Sequence, residues 1–404
     1  MSAGSGAPGR IAPVRVTAFT ARSALGTGCT AHAEALRARR SGLRQNDFTE
    51  TPLETWIGRV EGLEEEALPD RFATWECRNN RLAWSTLQAD GFLDAVREAR
   101  NRYGAGRIAL VVGTSTSSIG ASEEAYRQLT GDGLYPPALR RPIVHTPHSL
   151  GDFVQHALGL EGIAITVGTA CSSSAKVFAQ AERLLRCGLA DAAVVGGVDT
   201  LCGSVLFGFA SLELVASGPC QPFDVARKGI SLGEAGGFAL LEPRGATGPW
   251  LVGHGESSDA HHMSSPHPEG LGARHALEHA LARAGIEAGD VGYVNLHGTA
   301  SARNDEVEAR LIAALFPTRT RASSTKGWTG HTLGAAGILE SVLSLLSLEQ
   351  GLAPGTLNTT ALDPACGPQI RIENEPADLR FVLSQSFGFG GSNCVLAFGR
   401  EPAP

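Results

Sequence analysis

A chain of 404 residues with a net charge of −7 and 6% aromatic residues has neither the basic surface nor the stacking side chains of a nucleic-acid binder, and no overall attraction to an anionic membrane. No apolar run reaches the length of about eighteen residues that spans a bilayer, and residues 1–10 lack the apolar core of a secretory signal. The expectation is a cytoplasmic protein with no nucleic-acid or membrane partner. The eight cysteines show no CxxC spacing and suit a reducing compartment.

In chain order, residues 14–19 read as a first strand and 29–40 as a helix. Arg37, Arg39, Arg40 and Arg44 form the densest positive cluster, read as a solvated helix end more readily than as a docking patch. Residues 45–70 are polar and acidic and look like a surface excursion. Helical spacing returns over 78–100, and 107–113 is a uniformly apolar strand followed by small polar residues including Thr116. Arg140-Arg141 is a weaker candidate for a basic contact. The apolar run 162–168 then ends in Thr169-Ala170-Cys171-Ser172-Ser173-Ser174 and opens into a helical pattern to 186. Cys171 thus sits where a strand turns into a helix, where unpaired amides and the macrodipole favour a thiolate. A buried cysteine acting as a small apolar residue is the commoner case when the residue stands alone. A strand at 191–198 and a closing strand at 238–242 lead to a boundary near 243–249, dividing the chain into halves 1–245 and 246–404.

The second half echoes the first. The strand at 107–113 has a counterpart at 290–297, ending in His297. The Cys171 strand and helix have one in 321–331, with Lys326 and His331, and in the helical 333–348. The strand at 191–198 has one at 379–387. Two similar α/β halves about a pseudo-twofold axis would bring Cys171, His297 and His331 to one cleft. A Cys–His hydrolase needs a base against the thiol and an orienting partner, and a metal site needs further ligands at set spacing. Neither pattern is clear, whereas two imidazoles can donate to one carbonyl oxygen as it gains charge.

The stretches Thr169-Ala-Cys171-Ser-Ser-Ser174, His297-Gly-Thr299 with Asp305 and Glu308, Ser324-Thr-Lys326-Gly-Trp-Thr-Gly-His331, and Gly388-Phe389-Gly390-Gly391-Ser-Asn393 together resemble an elongating β-ketoacyl-acyl-carrier-protein synthase of the thiolase superfamily, from about residue 14 to 398. The resemblance implies the thiolase fold, duplicated α/β halves in a five-layer αβαβα arrangement. It also implies a two-stage reaction. An acyl group passes from a carrier's phosphopantetheine to Cys171; malonyl-carrier then loses carbon dioxide, and its enolate attacks to give a β-ketoacyl product two carbons longer. His297 and His331 would stabilise the enolate, the amides of Cys171 and Phe389 would hold the acyl-transfer oxyanion, and Lys326 with Glu308 would form a buried ion pair ordering the histidines. Phe389, between Gly388 and Gly390-Gly391, would be the gate; Thr299 and Ser301 would touch the pantetheine arm; Thr116 would fall at the far end of the acyl pocket, across the dimer interface.

No bound cofactor or metal is expected beyond the carrier's phosphopantetheine, and the irregular His261, His262 and His267 are a weak ligand signal. The expected partners are acyl carrier protein and a second ketosynthase-like chain, in a homodimer or heterodimer formed through the strand at 191–198. The loop Ala300-Ser301-Ala302-Arg303-Asn304 lacks the family's Pro and Gly, leaving its course open. The segment 229–237 looks more like ketosynthases of conjugated-polyene pigment pathways. Three rivals are weighed: a non-catalytic chain-length-factor partner, which would lack the nucleophile; a thiolase, which would need a second cysteine such as Cys394; and a plant-type polyketide synthase, which would have Asn in place of His331.

Overall fold

The computed structural model describes residues 8–243 and 247–402; part of the expected boundary at 243–249 lies outside them. Each half contributes a sheet of five strands to the main path of one eleven-stranded mixed sheet, the eleventh being the short strand Gly26–Thr27 paired with Val14–Ser23. The first comprises β1 (Val14–Ser23), β2 (Ile108–Gly113), β3 (Ala164–Val167), β4 (Ala192–Asp199) and β5 (Ala235–Glu242), in the spatial order β3-β2-β4-β5-β1. The second comprises β6 (Trp250–Ser258), β7 (Val291–Asn295), β8 (Arg321–Ser323), β9 (Phe381–Gly388) and β10 (Ser392–Gly399), in the order β8-β7-β9-β10-β6. Rank for rank the two orders are the same, and so are the directions. β2 runs parallel to β3 and β4, as β7 does to β8 and β9, and the remaining neighbours are antiparallel. The repeat legible in the sequence is therefore a repeat of topology. The sheets meet edge to edge where Val14 and Arg15 pair with Leu251 and Trp250.

Helices cover both faces of each sheet. The outer face of the first sheet carries α1 (Arg78–Leu87), α2 (Phe92–Tyr103) and α3 (Ser149–Leu158), the centre holds α4 (Ser173–Arg186), and the outer face of the second sheet carries α5 (Leu271–Ala284) and α6 (Ala302–Leu315). A short α7 (Lys326–Thr329) precedes α8 (Ala336–Gln350), which shares the centre with α4. Along β2, Leu110 and Val112 join the outer core while Val111 joins the central one. Both faces of a strand are thus buried, which explains uniform apolar runs without polar alternation. The result is the expected five layers. At the centre, α4 and α8 approach so closely that a side chain on Gly337 would collide with the backbone of Ala175.

Three expectations change. The helical stretch 78–100 is two helices, broken where Asp90 (φ 53°) and Gly91 (φ 70°) turn left-handed. The excursion at 45–70 is not merely surface, since Arg44–Gln45 and Trp56–Gly58 form a small sheet with Leu232–Gly233. Finally, the strand expected to pair with a second chain, β4, lies inside its sheet between β2 and β5. The open edge of the first sheet is β3, the strand before the nucleophile, whose residues are all half-buried. A strand hydrogen-bonded on both sides has no amides left to offer a partner. Among the described residues, no helix is long and apolar enough to cross a membrane.

Candidate active site

β3 delivers the chain to Cys171 through a sharp elbow in which Ala170 takes φ 51°. The elbow is stitched by the Ser173 hydroxyl, which donates to the Ala170 carbonyl at 2.6 Å and accepts from the Thr169 amide at 2.8 Å. Small hydroxyl residues beside the cysteine thus have a structural purpose. They satisfy the backbone of a turn that would otherwise stay unpaired at the floor of a cleft.

His331 enters the cleft from the loop after α7. Its amide donates to the Ser231 carbonyl at 2.7 Å and its own carbonyl accepts from Gly233 at 3.0 Å, so it extends the small sheet anchored by the 45–70 excursion. Its Nε2 lies 3.0 Å from Cys171 Sγ, and its Nδ1 accepts from the Leu333 amide at 3.3 Å. An amide can only donate, so the ring proton sits on Nε2 and points at the sulfur. His297, at the end of β7, stands at 89° to His331 with ring centroids 5.4 Å apart.

Lys326 is buried behind His297. Its ammonium donates to Glu340 Oε1 at 2.5 Å, to the His297 carbonyl at 2.5 Å, and faces His297 Nδ1 at 3.5 Å. That places the second ring proton on Nε2 as well. Burial and then the Lys326 charge hold both histidines well below the ordinary imidazole range. Two neutral imidazoles, each with an Nε2 donor, therefore converge above the thiol.

The ion pair expected between Lys326 and Glu308 is not formed. Lys326 pairs with Glu340 of α8, while Glu308 accepts from the amides of His297 and Gly298, both at 2.7 Å. One turn earlier on α6, Asp305 accepts from Thr299 at 3.0 Å and Ala300 at 3.1 Å. Two carboxylates three residues apart on one helix face so hold four consecutive amides, which fixes the loop that lacks Pro and Gly. The physical reason is availability: Glu308 spends both oxygens on backbone donors, leaving the buried ammonium to the carboxylate across the central layer. Burial pushes Glu308 up to about 8 and Glu340 up to about 6.

The favoured thiolate also needs correction. Burial pushes the Cys171 thiol up to about 11, opposed in part by the Phe389 amide, the Lys326 charge and the Cys171 amide. Desolvation outweighs the helix terminus, so the resting group is a thiol. Alkylation of Cys171 by iodoacetamide should accordingly accelerate steadily from pH 7 to pH 10; a plateau near pH 7 contradicts this. Those same two amides, of Cys171 and Phe389, are the pair expected to receive an oxyanion.

Cys171, His297 and His331 line a cleft of about 350 Å³ together with Thr299, Ser301, Gly388, Phe389 and Gly391. Thr299 and Ser301 share a hydrogen bond of 2.9 Å between their hydroxyls. Phe389 lies half-buried against Phe209 at 5.7 Å, and Gly390 (φ 78°) and Gly391 (φ 75°) turn the chain away from it. Thr116 does not line the cleft; its hydroxyl and amide are both bound to Asp199, at 2.5 and 2.9 Å. Nor does Cys394, fully buried within β10 among core residues, so the second cysteine of a thiolase is not at this site. Cys171, His297 and His331 offer ligand atoms within 4.8 Å of one another. The ammonium held against His297 opposes a dication there, and the Nε2 protons occupy the lone pairs that would bind it.

A thiol under two neutral imidazole donors and two backbone amides, at the meeting of two duplicated halves, defines an acyl-transferring condensing enzyme. The chain belongs to the β-ketoacyl synthase family: residues 12–246 match its N-terminal domain and 250–360 its C-terminal domain. It is 33% identical to nodulation protein E of Rhizobium meliloti (strain 1021) over 401 residues, covering 95% of this chain and 98% of that one. It is 38% identical to 3-oxoacyl-[acyl-carrier-protein] synthase 2 of Mycobacterium tuberculosis (strain ATCC 25618 / H37Rv) over 265 residues, 60% of this chain and 64% of the relative. The structure of the ketosynthase ApeO in complex with its chain length factor ApeC from Xenorhabdus doucetiae matches with a TM-score of 0.88 at 35% identity, covering 96% of this chain and 98% of that one. The fold is the thiolase-like fold of ketosynthases, and the reaction is β-ketoacyl synthase condensation in fatty-acid or polyketide synthesis. Sequence reasoning missed Glu340, although a single carboxylate inside the apolar run Ala336-Gly-Ile-Leu-Glu340-Ser-Val-Leu343 was a signal.

Proposed function

We propose that Cys171 carries the growing acyl chain and that His297 and His331 stabilise the malonyl-derived enolate. In the first stage the thiol attacks the carrier thioester, a sulfur–carbonyl bond forms to Cys171, and the carrier's sulfur leaves with the proton. Its oxyanion rests on the amides of Cys171 and Phe389. In the second stage malonyl thioester loses carbon dioxide, and the electron pair of the broken bond becomes an enolate held by the two Nε2 donors. The enolate carbon attacks the acyl-cysteine, and the Cys171 thiolate leaves and recovers a proton from solvent. The observation that carries this reading is the meeting of Cys171, His297 and His331, whose ligand atoms lie within 4.8 Å of one another, with His331 Nε2 3.0 Å from the sulfur. Lys326, Glu340 and Glu308 act as positioning residues. Phe389, with Gly388, Gly390 and Gly391, is the gate, while Thr299 and Ser301 guide the arm.

The phosphopantetheine arriving on acyl carrier protein is substrate, and no resident cofactor is invoked. Division into halves 1–245 and 246–404 follows the duplicated topology, and the proposed setting is cytoplasmic. Likeness to ApeO, a ketosynthase in complex with a chain length factor, supports a catalytic subunit that works beside such a factor, and the 229–237 segment is what favours a specialised, polyene-type pathway. The chain would pair through the open edge of β3 with a chain lacking the nucleophile. The test is to supply acyl-carrier and malonyl-carrier to the purified chain, with and without the co-expressed partner, and weigh the carrier product. A β-ketoacyl-carrier longer by two carbons only with the partner is expected. Product from the chain alone contradicts the heterodimer, and no product from either contradicts the catalytic assignment.

A further inference from the structure

His331 belongs to the second half of the chain, yet the group that fixes its ring is held by the first. The Leu333 amide that donates to His331 Nδ1 at 3.3 Å belongs to a residue with φ 57°. That left-handed conformation is costly for a side chain with a β-carbon and persists only where the surroundings over-determine it. Two contacts do so here. The Leu333 side chain is buried in a cluster with Ile57, Leu201 and Leu232. The next residue, Gly334, donates its amide to the Ser115 hydroxyl at 3.2 Å, across the join between the halves.

Ser115 is held in turn by Asp199. At the end of β4, Asp199 is fully buried and accepts from five donors on three consecutive residues. These are the Thr114 hydroxyl at 2.6 Å, the Ser115 amide and hydroxyl at 3.0 and 3.2 Å, and the Thr116 amide and hydroxyl at 2.9 and 2.5 Å. The Ser115 hydroxyl has one proton. Spending it on the carboxylate leaves the oxygen's lone pairs to the Gly334 amide, so Asp199 sets the direction of the relay. The fit is close, since a β-carbon on Gly334 would stand 2.6 Å from both Asp199 Oδ2 and the Ser115 nitrogen.

We infer that Asp199 is a positioning residue for His331, acting through Ser115, Gly334 and Leu333 to keep the ring proton on Nε2. The inference rests on the reading of His331 as a donor to the enolate. While the relay is intact, Nδ1 always meets an amide proton and stays bare. Once it is cut, Leu333 relaxes out of the left-handed region and its amide leaves the ring. The proton then also populates Nδ1, and a ring in that form turns a lone pair, not a donor, toward the enolate.

The test compares Ser115→Ala, which removes the relay hydroxyl and leaves the bonds from Thr114 and Thr116 to Asp199, with Ser115→Thr, which keeps a hydroxyl. Full-length protein labelled with ¹⁵N-histidine reports the tautomer, the His331 signals being assigned by their loss in His331→Ala. Wild type and Ser115→Thr should show Nδ1 as a bare acceptor, and Ser115→Ala a mixture of the two tautomers. Carbon dioxide release from malonyl-carrier on acylated enzyme should fall about fivefold in Ser115→Ala, the usual cost of one hydrogen bond. The loss should lie in kcat and not KM, with the rate of Cys171 acylation unchanged. Asp199→Asn, whose amide nitrogen would face donors, should show the same mixture. An unaltered His331 signal in Ser115→Ala or Asp199→Asn overturns the relay. Equal slowing of acylation and decarboxylation, or a loss that Ser115→Thr shares, overturns it too, because either marks a structural role alone. A mixed tautomer with undiminished decarboxylation upholds the relay and overturns instead the reading of His331 as enolate donor.

Discussion

Lys326→Met is expected to destabilise the protein by about 3–5 kcal/mol, because it strands the buried Glu340 carboxylate without its counter-charge. Lys326→Met/Glu340→Leu should recover most of that loss, since both charges then leave the core together, and thermal unfolding of the two variants measures the difference. A single variant as stable as wild type contradicts the pairing. The catalytic consequence has a definite sign. Burial and the Lys326 charge depress both histidines, and the neutral form is the one proposed to stabilise the enolate. Removing the ammonium removes one of the depressing causes at each ring, so the imidazoles protonate at higher pH. The acid limb of the condensation rate should move toward neutrality in Lys326→Met/Glu340→Leu. A limb that stays in place contradicts the electrostatic role.

His297→Ala and His331→Ala should each slow malonyl decarboxylation on acylated enzyme by about 10²–10³-fold, the usual cost of losing one donor to a developing oxyanion. Alkylation of Cys171 should persist in both, because the sulfur itself and the two backbone amides beside it remain in place when either ring is removed. Release of carbon dioxide from labelled malonyl-carrier, beside the alkylation rate, separates the two stages. Equal loss of alkylation and decarboxylation contradicts the division of labour drawn above.

Much of this site was readable from the order of residues, because each motif closes a strand: Cys171 after β3, His297 after β7, His331 after β8. A duplicated topology brings strand ends together, so the cleft followed once the repeat was seen. What could not be read depended on how layers approach each other. Which carboxylate reaches Lys326 is decided by the close contact of α8 with α4 at Gly337 and Ala175, and nothing in the spacing of Glu308 reports it. The helix terminus beside Cys171 was legible, while the desolvation that outweighs it comes from the whole cleft. Likewise β4 and β3 are both apolar strands, and only the pairing pattern tells an inner strand from an edge. Residues 45–70 looked like surface because their role, anchoring Leu232–Gly233 and through it His331, lies in backbone hydrogen bonds that any side chain can make.

The most direct measurement is intact-protein mass after mixing the enzyme with acyl-carriers of several lengths, wild type beside Cys171→Ala. The account predicts a gain equal to the acyl group in the wild type, dependent on chain length, and none in the variant. Labelling that survives in Cys171→Ala, or that maps to another residue, contradicts it.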